Sequence, residues 1–168
     1  MESPQVKQAL RAISFEEYVQ KGTLPRCFPE GMSITLEQAN VAADEVWEDG
    51  GAKVFSFNYE GYSVNITFCC DSAAYLFDSV DIWSGTEAGA SKFGHLYTLE
   101  GARGLAGQLG INLLGFQIED EYVGLFPSAV TVHYLKRGNK WNLVKAAGAY
   151  RSYEDTLASL QRIANVCD

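Results

Sequence analysis

His95 and His133 are the only histidines among 168 residues, and histidine is the side chain whose charge changes most readily near neutral pH. His95 follows the small-residue run Ser84 to Gly94 and precedes Thr98, a helix-capping residue. Folding of that run back over a sheet would bring His95 towards Cys69 and Cys70, with Asp71 beside them. A cysteine paired with a histidine is the arrangement of a thiol nucleophile, so Cys69, Cys70, Asp71 and His95 form the candidate catalytic set. His133 alternates with Val132 and Tyr134 in a strand pattern and shares the more polar face with Thr131 and Leu135, as an ordinary sheet histidine would.

The remaining cysteines are Cys27 and Cys167, and no Cys-x-x-Cys spacing or histidine at zinc-ligand distance accompanies any of the four. No metal and no cofactor is expected. Adjacent strand residues point to opposite faces, so Cys69 and Cys70 do not bond to each other, and a chain of this length needs no disulfide to hold a core. Free thiols are the expectation.

Carboxylates gather at Asp44-Glu45, Glu48-Asp49, Glu119-Asp120-Glu121 and Glu154-Asp155. Paired acids can divide acid and base work in glycoside hydrolysis. Each cluster here falls on a helix's polar face, at a turn or in a helix's first turn, where solvation or the helix dipole accounts for it. The 119–121 turn lacks the length and the twelfth-position Glu of a calcium loop. Between Gly85 and Gly89 lie three residues where a phosphate-binding loop has four, and Glu87 sits where an anion would be cradled. Nucleotide binding is not expected. Lys136, Arg137 and Lys140 collect at a hairpin tip, where cations keep sheet edges soluble. The glycosylation sequon Asn65-Ile66-Thr67 is discounted because it lies within a strand pattern.

The elements that must position these groups follow from spacing. Ser3-Pro4 starts a helix carrying Val6, Leu10 and Ile13, and Ser14 opens a second turn of helix to about Gln20. Residues 21–34 read as a loop. Thr35 to Gln38 is a capping box, and Leu36, Ala39, Ala43, Val46 and Trp47 predict one amphipathic helix ended by Gly50-Gly51. Period two then takes over. With Glu60-Gly61 as a two-residue turn, Tyr59 faces Tyr62, Phe57 faces Val64 and Phe55 faces Ile66. All six large residues then share one face of the sheet. A third strand starts near Tyr75, residues 84–94 form a loop, and Thr98 caps a helix to Leu109 whose three glycines suggest close packing. Strands near 112–118 and 122–126 and a hairpin about Gly138-Asn139 follow, before a last helix capped by Ser152.

The predicted fold is α+β, a single domain with a mainly antiparallel sheet of about five to seven strands and helices packed on one face. Thirteen Lys and Arg against 21 Asp and Glu leave a net charge of −8, which excludes an extensive nucleic-acid surface. No apolar run reaches the length of a membrane span, and the N-terminus has no secretory pattern, so a cytoplasmic location is expected.

Helix, three strands, helix, strands and helix, in a small acidic chain, resembles the secretion chaperones that bind type III effectors. The resemblance is one of element order, and the extra helix around Leu36 to Glu48 departs from it. It implies a partner-binding role. With no catalytic fingerprint, the expected function is a non-enzymatic acidic module, an inhibitor, immunity-type factor or dedicated chaperone. It would engage a basic protein through Asp44, Glu45, Glu48, Glu119, Asp120 and Glu121. The alternative is a small-molecule binder or small enzyme with an aromatic-lined pocket and a cysteine nucleophile; a homodimer joined at sheet edges is a third option.

Overall fold

The computed structural model describes residues 3–22, 35–71, 74–86, 89–149 and 152–167. The expected 21–34 loop beyond Gly22, with Cys27, and Glu87 lie outside them. Three helices come first: α1 (Ser3–Arg11), α2 (Phe15–Lys21) and α3 (Leu36–Ala42). Ser14 Oγ accepts the Glu17 N–H at the start of α2, and Thr35 with Gln38 completes a reciprocal capping box on α3. Four strands follow: β1 (Glu45–Asp49), β2 (Ala52–Tyr59), β3 (Tyr62–Asp71) and β4 (Ala74–Ser84). Next come α4 (Ala90–Phe93), a 3₁₀ turn (Gly94–Tyr97) and α5 (Leu99–Leu109). The chain then forms β5 (Leu114–Ile118), β6 (Glu121–Leu125), β7 (Thr131–Arg137), β8 (Lys140–Ala149), α6 (Tyr153–Ile163) and β9 (Asn165–Cys167).

The strands make one antiparallel sheet in the order β1-β2-β3-β4-β8-β7-β6-β5-β9. Two meanders, β1 to β4 and β5 to β8, are joined where β4 pairs with β8, Trp83 opposite Lys145. Eight strands have five residues or more and β9 has three, so the expectation of five to seven is too low. The excess strand at the first edge has a specific origin. The helix expected to run from Leu36 past Trp47 stops at Ala42, because Ala43 is extended (φ −66°, ψ 144°). Asp44 then ties down to Lys7 at 2.8 Å and to the Asn58 N–H at 2.7 Å, and Glu45–Asp49 pairs with β2 through the Gly50-Gly51 turn. Val and Trp fit a pleated surface, and here the cross-strand partners Phe55 and Val54 outweigh the helical periodicity.

The β2–β3 register is the one the pattern predicts, Tyr59 opposite Tyr62 and Phe55 opposite Ile66, with Gly61 at φ 80° in the turn. Phe55, Phe57, Val64, Ile66, Val80, Ile82, Val132, Tyr134, Leu143 and Ala146 are buried in one cluster with side chains from α1 to α5. The smaller cluster of Phe116, Val123, Leu125 and Leu160 lies on the other side of the sheet. In β6, Tyr122 belongs to the first cluster and its neighbours Val123 and Leu125 to the second, and alternate residues face opposite ways. Helix α6 therefore covers the face opposite α1 to α5, a correction to the expectation of helices on one face only. Part of the expected 84–94 loop is helical instead: α4 spans Ala90–Phe93, and Phe93 is fully buried.

Of the three glycines in α5, close packing holds for one. A methyl group on Gly101 would overlap the carbonyl oxygen of His95 and lie 3.0 Å from Thr98 Oγ1, whereas Gly104 and Gly107 face open space. Opposite signs are expected. Gly104→Ala and Gly107→Ala each stabilise by about 0.5–1 kcal/mol through helix propensity. Gly101→Ala destabilises by about 1–3 kcal/mol, because a backbone oxygen cannot step aside as a side chain can. Urea melts of the three single variants test this, and equal shifts of one sign would refute it.

Candidate functional site

The expected catalytic set does not assemble. Phe93, two residues before His95, stacks edge-on against Tyr62 at one end of β3, with ring centroids 6.2 Å apart. Cys69 lies seven residues further along that strand, roughly 23 Å away at the rise of an extended chain. His95 is instead held by α2: its Nδ1 lies 2.8 Å from Glu16 Oε1, and its backbone N–H donates to the same oxygen. Burial and the neighbouring Asp78 carboxylate raise the Cys69 thiol above its ordinary value, which disfavours the thiolate a nucleophile needs. Cys69 is a free thiol, and Asp71 ends β3 opposite Ala74.

The acidic residues divide between the two halves of the sheet. Asp44, Glu45 and Glu48 lie in or beside β1, the terminal strand. Glu119 and Asp120 form the β5–β6 turn and Glu121 begins β6. Six strand spacings separate β1 from β6, roughly 29 Å, so the two groups do not form one patch. Asp44 has a structural task. The Lys7 ammonium and the Asn58 N–H hold its carboxyl below the usual carboxylate range. Within the second group Glu119 adopts φ 53°, and its carbonyl accepts a 2.8 Å bond from Gln117.

What remains as a surface is β1. All five of its residues are exposed, and among the described residues it pairs with β2 alone. Glu45, Trp47 and Asp49 alternate on one face, Val46 and Glu48 on the other. Trp47 is 41% and Val46 45% exposed, and Val41 on the preceding α3 is 73% exposed. Lys53 approaches Glu48 at 3.5 Å across the hairpin, but the Glu48 side chain stays 69% exposed. A terminal strand offers unpaired N–H and C=O groups to another strand, and exposed tryptophan supplies area with little entropy to lose. Reading residues 36–48 as one helix hid Val46 and Trp47 as core residues. The signal against that reading is the β-branched Val46 and aromatic Trp47 just before the Gly50-Gly51 turn signal.

Comparison with protein families, with characterised proteins and with solved structures finds no match to this chain. Among the described residues no helix is long and apolar enough to cross a membrane, and no cluster of His, Cys, Asp and Glu is arranged to hold a metal ion.

Proposed function

We propose that this protein is a non-enzymatic acidic binding module that receives a basic, extended segment of a partner protein as an additional strand on β1. The observation that supports it is the combination of a fully exposed terminal strand with Trp47 and Val46 flanked by Glu45, Glu48 and Asp49. A strand laid antiparallel to β1 satisfies the chemistry with lysine or arginine opposite the three acids and apolar residues opposite Val46 and Trp47. Each opposite-charge cross-strand pair contributes about 0.2–1 kcal/mol.

The same residues disfavour a second copy of the chain. In-register antiparallel pairing of two β1 strands places Glu45 of each opposite Asp49 of the other and Val46 opposite Glu48. Like charges directly opposed are destabilising, and each protomer brings a net charge of −8. A basic partner meets neither penalty.

The test is a titration of the protein with a peptide carrying Lys-Lys-Val-Val-Lys, followed by tryptophan fluorescence at low salt and at about 1 M salt. Binding is expected to weaken about tenfold or more at high salt, and by a similar factor in Trp47→Ala and in Glu45→Lys, with the fold retained. A control peptide with glutamate in place of lysine should not bind. Equal binding of the two peptides, or binding indifferent to salt, overturns the reading.

A further inference from the structure

The C-terminal half of α1 and the β2–β3 turn border an open cleft of about 650 Å³, lined by Lys7, Gln8, Arg11, Asn58, Tyr59 and Glu60. Its aromatic wall is braced from behind. Tyr59 stacks on Tyr62 with ring centroids 4.9 Å apart and planes 12° from parallel, and its hydroxyl donates a 2.7 Å hydrogen bond to the Lys7 carbonyl. Tyr62 packs edge-on against Phe15 of the main cluster, 5.3 Å between centroids.

The cations here are not equivalent. Lys7 is neutralised, its ammonium lying 2.9 and 2.8 Å from the two carboxylate oxygens of Asp44. Arg11 and Lys92 are not, since neither forms an ion pair among the described residues. Lys92 reaches over from α4 and donates a 2.6 Å hydrogen bond to the Arg11 carbonyl, which fixes its ammonium at the end of α1. Burial and the Arg11 charge lower that ammonium below its ordinary value. Burial raises the Tyr59 and Tyr62 phenols, and the Arg11 charge offsets part of that rise. The Arg11 guanidinium therefore stands close to both the tyrosine pair and Lys92. Two like charges held side by side repel, and an anion bound to both removes the repulsion.

Two uncompensated cations suit a dianion better than a monoanion. A phosphate monoester carries about −1.5 to −2 charges at neutral pH and three strong acceptor oxygens. Guanidinium presents a planar fork to two of those oxygens, and the Lys92 ammonium keeps two donors after its bond to Arg11. The rest of the lining suits an uncharged, hydroxyl-rich body. Gln8 and Asn58 are exposed amides, and the only side-chain bond of Asn58 is one that its Oδ1 accepts from Ser56 Oγ at 3.3 Å. Glu60 at the turn repels a second anionic group. A bare phosphate fills only a small part of the cleft, whose volume is that of a site for a small organic molecule.

We propose that this cleft binds a small hydroxylated phosphate monoester of the sugar-phosphate class, its phosphate on Arg11 and Lys92 and its hydroxyls on Gln8 and Asn58. The site makes no use of β1, so it stands or falls separately from the strand-docking reading.

Isothermal titration of the full chain with ribose 5-phosphate tests this, with ribose, gluconate and inorganic phosphate as partial ligands and ³¹P NMR following the phosphate directly. Ribose 5-phosphate is expected to bind saturably with a Kd of about 1 mM or lower, and each partial ligand about fivefold more weakly or worse. Arg11→Met and Lys92→Met keep apolar stems in place of the charges and should each weaken binding about fivefold or more, with circular dichroism confirming that they fold. Lys92 packs over the Phe15 ring, 5.4 Å from its centre, so a third variant avoids that contact. Glu60→Lys, at an exposed turn, exchanges an anion of the lining for a cation and should tighten binding about threefold. The proposal is overturned if ribose 5-phosphate shows no saturable binding up to about 10 mM, roughly ten times the expected Kd. It is equally overturned if gluconate or inorganic phosphate binds as tightly, or if the folded variants bind as the parent does.

Discussion

Replacing Tyr134 by alanine is expected to cost about 3–5 kcal/mol of folding free energy, the range for removing a large aromatic side chain from a packed core. Tyr134 is fully buried on β7, and its hydroxyl donates a 2.7 Å hydrogen bond to the carbonyl of Leu96 in the 3₁₀ turn. One side chain thus fills the centre of the main cluster and fastens the α4–α5 connection to the sheet. Burial pushes its phenol well above the ordinary tyrosine value, so it remains a donor throughout the pH range in which the fold survives. Domains of this size have total stabilities of about 5–15 kcal/mol, so the alanine variant stands near the limit of folding. Tyr134→Phe separates the two contributions. It keeps the ring, loses the bond to Leu96 and should cost about 1–2 kcal/mol. Urea unfolding of both variants is the measurement, and an alanine variant within 1 kcal/mol of the parent, roughly the cost of a single hydrogen bond, would show that Tyr134 does not anchor the core.

The second large effect is a loss of stability in acid that belongs to His133. Its side chain is 16% exposed, and burial together with the Lys145 charge pushes its value from 6.5 down to about 4. In the window between those values the unfolded chain takes up a proton that the folded chain refuses. Stability then rises with pH across the window, and conversely falls as the medium is acidified from about 6.5 to about 4. A shift of this size corresponds to about 3 kcal/mol. Asp81 acts in the opposite direction. Its raised value means that the folded chain holds a proton the unfolded one has released, so its contribution grows as pH falls through the region just above 3.8. Comparing the parent with His133→Gln removes the first effect and leaves the second. Relative to their difference at neutrality, the urea midpoint of the parent should fall progressively below the variant's as the pH is lowered from about 6.5 to about 4; parallel profiles would mean that the folded protein takes up this proton as readily as the unfolded chain.

The local elements were legible wherever two independent signals agreed. In β2 and β3 the alternation of Phe55, Phe57 and Tyr59 and the Glu60-Gly61 turn both demand one register, and the paired strands adopt it. At Leu36 to Glu48 the signals conflicted. Apolar residues at helical spacing argued for one helix, while Val46 and Trp47 beside a Gly-Gly turn argued for a strand. The capping box won for seven residues and the hairpin took the rest. In the last helix Leu160 and Ile163 stand at helical spacing, yet Leu160 is buried and Ile163 is 67% exposed.

The candidate sites were less legible because they are made by pairing. Glu45 and Glu48 were identifiable as surface acids, yet their place on a terminal strand depends on which strands find each other. The separation of Cys69 from His95 along β3, and the attachment of His95 to Glu16, depend on where α4 docks. Arg11, Asn58 and Lys92 lie far apart in the chain and come together only where the end of α1 meets the β2–β3 turn and α4.

By itself, the order of residues determined the acidic charge, the α+β class, the capped helix starts and the registers of hairpins whose turns are short, because each of these depends on interactions within a few positions. The joining of the two meanders at β4 and β8 and the placement of α6 on the opposite face were decided only in three dimensions. They depend on which apolar faces bury each other, and many different sequence separations satisfy that condition equally well.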